Sequence, residues 1–319
     1  MPKRGCLGCS FPLLVGILLI FLALFVVGFA SGPLGKSLLG DLGLPSWLSV
    51  PRPEPKLPAE EVFHLFGFPI TNTIVAAWLT IIVLVGFSYA VTRRIRLIPS
   101  RLQSAFEFLL GWLYNLCQDV AGEENGRRFF PIVTTIFLFV ITNAWLSLLP
   151  GFGSITVTTA AGEHVHLLRG ANTDINMPLA LALMSFVFVE YFGLRSRGFR
   201  YLGKFINVGQ FFRSLGQLVR GRLRAGISGL FTGFIDIFVG FLEIMSELVR
   251  IVSFTFRLFG NMTAGEILLL IAMFLVPWIF ALPFYGLELL VGFVQALIFG
   301  GLTLVFATIA VAHHGAEAA

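Results

Sequence analysis

Between residues 230 and 276 an apolar stretch carries Asp236, Glu243, Glu247, Arg250, Arg257 and Asn261 at helical spacing. On a helix advancing about 100° per residue, with Arg257 set at zero, Arg250 falls at about 20° and Glu243 and Asn261 at about 40°. Asp236 falls at about 60° and Glu247 at about 80°, so the six share an arc of about 80°, while Glu266 falls at about 180°. Carboxylates inside a membrane segment can relay protons. A guanidinium cannot: it keeps its charge under all conditions a protein meets. Glu243 and Glu247 stand seven and three residues before Arg250, and the three-residue step is an ion-pair spacing. Arg257 has Ser253, Phe254, Gly260 and Asn261 at three and four residues and no acid. A charge at the bilayer centre costs about 2.5–3.5 kcal/mol on insertion scales. Arg257 therefore requires a partner, a water-filled cavity or both, supplied by Glu266, by the final helix or by another chain.

The final apolar stretch, "YGLELLVGFVQALIFGG", places Glu288 and Gln295 seven residues apart, hence on one helix face. Gly292, Gly300 and Gly301 let another helix approach closely. The connector "VPWIFALP" is short enough to make the two stretches an antiparallel hairpin. Glu266 and Glu288 then lie toward the turn, Asp236, Glu243 and Glu247 toward the other end, and Arg257 between them. Acids at both ends and a fixed cation between describe two wet half-passages with a barrier to free protons. Transport through such a chain requires a moving carrier that meets the cation from outside.

The elements that hold these groups are membrane helices. Of 319 residues, 57% are hydrophobic and 12% charged, with mean hydropathy +0.90, against about 25% charged residues in soluble domains. Stretches 11–30, 70–92, 130–149, 177–194 and 284–311 have the ~20-residue length of a membrane span. The segment 231–276, which lacks proline, would form a helix of about 65–70 Å. It must tilt steeply, bend, or break at Gly240, Gly260 or Gly265, and steep tilt with a bend is expected. The fold class is an all-α polytopic membrane protein. It has five core helices, including the long C-terminal hairpin, plus one N-terminal helix or signal peptide within residues 1–30. Residues 1–60, with the proline-rich "PSWLSVPRPEPKLP", form an N-terminal part, and 61–319 the membrane domain.

Basic residues cluster at Arg93, Arg94, Arg96, Arg101, Arg127 and Arg128, and again from Arg195 to Arg224. The positive-inside rule makes both loops cytoplasmic. Lys3 and Arg4 put the N-terminus on that side if residues 1–30 are retained, and the C-terminus joins it. Loops 31–69 and 150–176 are then extracytoplasmic. Topology accounts for the basic charge, so no nucleic acid is expected. "ASGPLGKS", Ala30–Ser37, fits a relaxed phosphate-loop pattern but contains Pro33 and follows a span rather than a strand. "EHVH", Glu163–His166, reads as a solvated loop, and His313 and His314 as a polar tail. Cys6 and Cys9 lack two further zinc ligands nearby. Neither a metal nor a cofactor is expected, and no hydrolase constellation is seen.

"RLFGNMTAGE" resembles the signature of subunit a of F-type ATP synthases, the membrane stator facing the rotor ring. "FPITNTIVAAW" is similar to that family's first helix. "FFPIVTTIFLFVITNAWLSLLPG", with Asn143 and Pro150, is similar to the next, and "NTDINMPLALAL" to the segment whose Asp174 and Asn176 sit near the outer opening. The resemblance runs from about Glu61 to Ala312 and is weak over 195–230. It implies that Arg257 is the stator arginine, that Asn261, Glu266, Glu288 and Gln295 serve an outer half-channel, and that Glu243, Glu247 and Asp236 serve an inner one. Glu243 and Arg250 match polar positions upstream of the signature. Implied partners are a ring of two-helix subunits (subunit c), the peripheral stalk subunit b, the rest of the synthase and the bilayer of a bacterial-type plasma membrane. The chain itself would bind no nucleotide and form no covalent bond. The rival readings are a proton-coupled secondary transporter and a membrane scaffold.

Overall fold

The structure, a computed structural model, describes residues 11–40, 58–93, 98–158, 164–198 and 223–312, with isolated positions and short pieces between these runs. The readings that fall on Cys6, Cys9, Glu163, His313 and His314 lie outside the described residues.

The order of elements is α1 (Phe11–Ser31), α2 (Pro33–Leu39), β1 (Glu61–Leu65), β2 (Phe68–Thr71), α3 (Asn72–Thr92) and α4 (Arg101–Ser147). There follow β3 (Thr156–Thr158), β4 (His164–His166), α5 (Asn176–Arg197), α6 (Leu223–Leu275) and α7 (Leu282–Ala312). Six of the described helices are long and apolar enough to cross a membrane. Closed helices satisfy every backbone polar group internally, which is what hydrocarbon demands.

The expected spans match α1, α3, α5 and α7 to within a few residues. Three features lie beyond this match. Residues 101–121, read as part of a loop, are helical and run into the expected span at a kink. Gly122 has φ 77° there, a conformation glycine adopts without the Cβ clash other residues meet. The first half of α4 was missed because it buries only a narrow stripe, including Gln103, Leu113 and Cys117, and its overall hydropathy is moderate. Second, α6 is a single helix of 53 residues, about 80 Å at 1.5 Å per residue. Its backbone stays helical through Gly240, Gly260 and Gly265, so it does not break at its glycines. Third, two short antiparallel hairpins stand in the loops. Leu65 pairs with Phe68 across a Phe66–Gly67 turn, both of positive φ, and Thr158 pairs with His164. Strands of three to five residues are too short for alternation to stand out. The Ala30–Ser37 pattern falls on the end of α1 and on α2, with no strand before it.

The chain divides into two compact units. One draws on residues up to Leu79, Ile141–Asp174 and Gly260–Val294. Here the hairpin turn of Trp278–Ala281 joins α6 to α7. α7 comes close to α4 at Gly292, where an added Cβ would stand 2.9 Å from that of Ala144. Trp145 Nε1 donates to the Leu289 carbonyl at 3.1 Å. The other unit draws on Thr80–Val140, Ile175–Phe259 and the chain from Gln295. Its core holds Cys117, Phe129, Val133, Phe188, Val189, Leu304 and Ala307. Ser185 and Thr303 share a buried hydroxyl hydrogen bond of 2.7 Å between α5 and α7. Gly300 brings α7 within van der Waals reach of Val133, whereas Gly301 faces open space.

Candidate functional site

In the first unit, the antiparallel pairing of α6 and α7 puts Glu288 directly over Gly265. The Glu288 carboxyl fills the space a Cβ at position 265 would need. Glu288 is only 7% exposed. Its side chain borders a cavity of about 510 Å³ that Glu266, Arg169, Asn143, Asn172 and Tyr285 also line. The acids expected on the turn side of the hairpin are thus brought together in one cavity.

Arg169 holds Glu266. Its Nε donates to both carboxylate oxygens at 3.2 Å, and Nη2 donates to Oε2 at 3.0 Å. Nη1 reaches the Pro58 carbonyl at 3.2 Å. The wall is polar elsewhere too. The Asn172 backbone N–H donates to Asn143 Oδ1 at 3.3 Å. Asn72 Oδ1 and both side-chain polar atoms of Asn172 are buried with no hydrogen-bond partner among the described residues. Polar atoms so placed in a roomy cavity bind water. On the loop side the backbone N–H of His166 donates to Glu60 Oε2 at 3.1 Å, and His164, His166 and Glu60 line the cavity. A carboxyl at Glu288, water-binding walls and ionisable groups at the loops make a compartment that can take up and release protons.

Gly265→Ala should displace the Glu288 carboxyl, because the atoms in the way are the movable end of a side chain rather than backbone. The expected outcome is a chain that still folds but whose Glu288 carboxyl has moved off position 265, checked by comparing the rate of carbodiimide labelling of Glu288 in the two forms.

In the second unit the polar arc of α6 is recognisable. Arg250 Nη1 pairs with Glu247 Oε2 at 2.7 Å, the three-residue contact the spacing predicts. The Arg250 guanidinium also lies 3.9 Å from the Phe306 ring centroid, a cation–π distance. Glu247 is 5% exposed, whereas Asp236 and Glu243 are half-buried. Arg257 is half-exposed. Its Nη2 donates to Ser253 Oγ at 3.4 Å, and its guanidinium lies 5.8 Å from the Phe254 centroid. Phe254 is itself held by Phe299 and Phe306, at 4.9 and 5.9 Å between centroids. Among the described residues no ion pair involves Arg257. Glu266, one partner considered for it, is engaged by Arg169 instead.

Other expected site residues are not among those lining the cavity. Asp174 Oδ2 accepts from Thr73 Oγ1 at 3.0 Å, Asn176 and Asn261 are exposed, and Gln295 is buried. No group of three or more His, Cys, Asp or Glu among the described residues is placed to hold a metal ion. Arg169 was missed as a site residue. It stands in a loop, 97 positions before its partner, and no helical spacing announces it.

A family model described as ATP synthase A chain matches residues 74–308. The chain belongs to that family. Its curated relatives include the ATP synthase subunit a of Citrifermentans bemidjiense, 30% identical over 255 residues that make up 77% of this chain and 91% of the relative. The subunit a of Moorella thermoacetica is 28% identical over 247 residues, 77% of this chain and 93% of the relative. That of Gloeobacter violaceus is 29% identical over 243 residues, 76% and 85%. The ATP synthase A chain match takes in nearly all of α3 and most of α7, with α4, α5 and α6 between them. It therefore includes Arg257 and both carboxyls of the cavity, and leaves α1, α2 and the first hairpin outside.

Proposed function

We propose that this chain is the proton-conducting stator subunit of an F-type ATP synthase, supplying two offset half-channels and the arginine that faces the rotor. The observation that carries the reading is Arg257: a permanent cation on a membrane helix, half-exposed and without an ion-pair partner among the described residues. Such a charge is stabilised by an anion brought from outside the chain.

In this reading the cavity of Glu288 and Glu266 is the outer passage, with Asp174 and Asn176 near its opening and Asn261 and Gln295 farther along. A proton taken up there passes to a membrane carboxylate of the rotor ring. The neutral acid then turns through lipid with little desolvation cost. It releases its proton to the inner passage of Glu243, Glu247 and Asp236, where the Glu247–Arg250 pair fixes the wall. The regenerated carboxylate is drawn to Arg257, whose charge also repels free protons. The partners are the ring of two-helix subunits (subunit c), the peripheral stalk subunit b and the remainder of the synthase. The chain sits in a bacterial-type plasma membrane, with both termini cytoplasmic if residues 1–30 are retained. It binds no nucleotide, and ATP forms elsewhere in the complex.

Reconstitution tests this. The chain alone in liposomes should conduct no protons and move no solute, and flux should begin only when it is assembled with the purified ring. Proton-linked solute uptake by the isolated chain would overturn the assignment.

A further inference from the structure

The cavity holds two glutamates in unlike surroundings. Glu266 is pinned: three hydrogen bonds from Arg169 reach its two oxygens at 3.0–3.2 Å. Arg169 is anchored in turn by the Pro58 carbonyl and its side chain is only 12% exposed, against 34% for Glu266. The forked, permanently charged guanidinium fits a carboxylate from two directions. Glu288 instead places its carboxyl against the bare backbone of Gly265, one residue from Glu266 in the chain. The other ionisable groups lining the cavity are Glu60, His164, His166 and Tyr285.

We propose that Arg169 is a positioning residue that locks Glu266 as a fixed anion on the cavity wall, leaving Glu288 as the carboxyl that exchanges protons there. This rests on reading the cavity as the outer passage, and it divides labour between two acids the sequence leaves equivalent. A permanent ion pair gives the wall a constant dipole and holds Glu266 still. A second mobile carboxylate beside Glu288 would compete for each arriving proton.

A double-mutant comparison tests it in vesicles containing the whole complex with its catalytic head removed, following passive proton conduction across a pH series. R169Q leaves Glu266 unheld, and E266Q leaves Arg169 without its counter-charge. Each single variant should conduct several-fold more slowly with a displaced pH profile. R169Q/E266Q, which removes both charges together, should conduct faster than either single variant, with its profile moved back toward the native one. R169K, which keeps the charge, should lie closer to native than R169Q. Conduction by the double variant as poor as by E266Q alone would mean that Glu266 itself carries the proton, and would overturn the proposal. So would a native profile in R169Q. Should a single variant fail to assemble, the double variant decides alone. Assembly with measurable conduction supports positioning; failure to assemble, or assembly without conduction, overturns it. None of these outcomes touches the parent reading, which stands or falls on whether conduction needs the ring.

Discussion

Arg257→Ala is expected to abolish ATP synthesis driven by a proton gradient while leaving the complex assembled. Both halves follow from the surroundings of the side chain. Breaking a buried ion pair by removing one partner typically costs about 3–5 kcal/mol, because the other charge is stranded. Arg257 strands nothing when removed: it is half-exposed, and its described polar contact is a 3.4 Å hydrogen bond from Nη2 to Ser253. On the proposed reading function should collapse nonetheless, since the anion delivered by the rotor would lose its counter-charge and free protons their barrier. Arg257→Lys keeps a charge but not the planar fork, and should recover only part of the coupling. Gradient-driven synthesis in membrane vesicles, with native gels as the control for assembly, makes the measurement. Coupled synthesis by the alanine variant would end the assignment of Arg257.

The second large effect is expected from Glu288→Gln. Glutamine keeps the size and shape that fit over Gly265, so packing should survive, but an amide cannot take up and hand on a proton. A positioned proton-transfer group commonly contributes a factor of about 10²–10⁴. ATP-driven acidification should therefore fall by about a hundredfold or more, with assembly near normal. Histidine at the same position can titrate and should restore part of the pumping. Full pumping by the glutamine variant over the whole working pH range would show that protons bypass this carboxyl.

The parts of the site that could be read in advance are those a helix makes periodic. The polar arc of α6 stands out because its background is apolar, and one three-residue contact in it, Glu247 with Arg250, forms as the spacing predicts. The meeting of Glu266 and Glu288 followed from a short connector and an antiparallel hairpin. Arg169 could not be foreseen. Its partner is fixed by where a loop returns after two hairpins and a 47-residue kinked helix, and no local pattern encodes that return. The first half of α4 was hidden for another reason: a helix that buries one narrow stripe lacks the unbroken hydropathy by which spans are recognised. The Arg250–Phe306 contact joins two helices 56 positions apart at these residues, and either residue alone reads as ordinary.

One face of α6 carries a last consequence. Phe231, Phe234, Phe238, Phe241, Val249, Val252 and Phe256 are all exposed. On a helical projection they lie between about 200° and 280° from Arg257, away from the polar arc. Apolar side chains along that length would act as electrical insulation where they exclude water. Unit charges 4 Å apart interact with about 1 kcal/mol in water and about 4 kcal/mol at an effective dielectric of 20. On the proposed reading, the grip of Arg257 on a visiting anion depends on how well its neighbours exclude water. A polar side chain introduced on this flank, without touching the cation, would act as a short circuit.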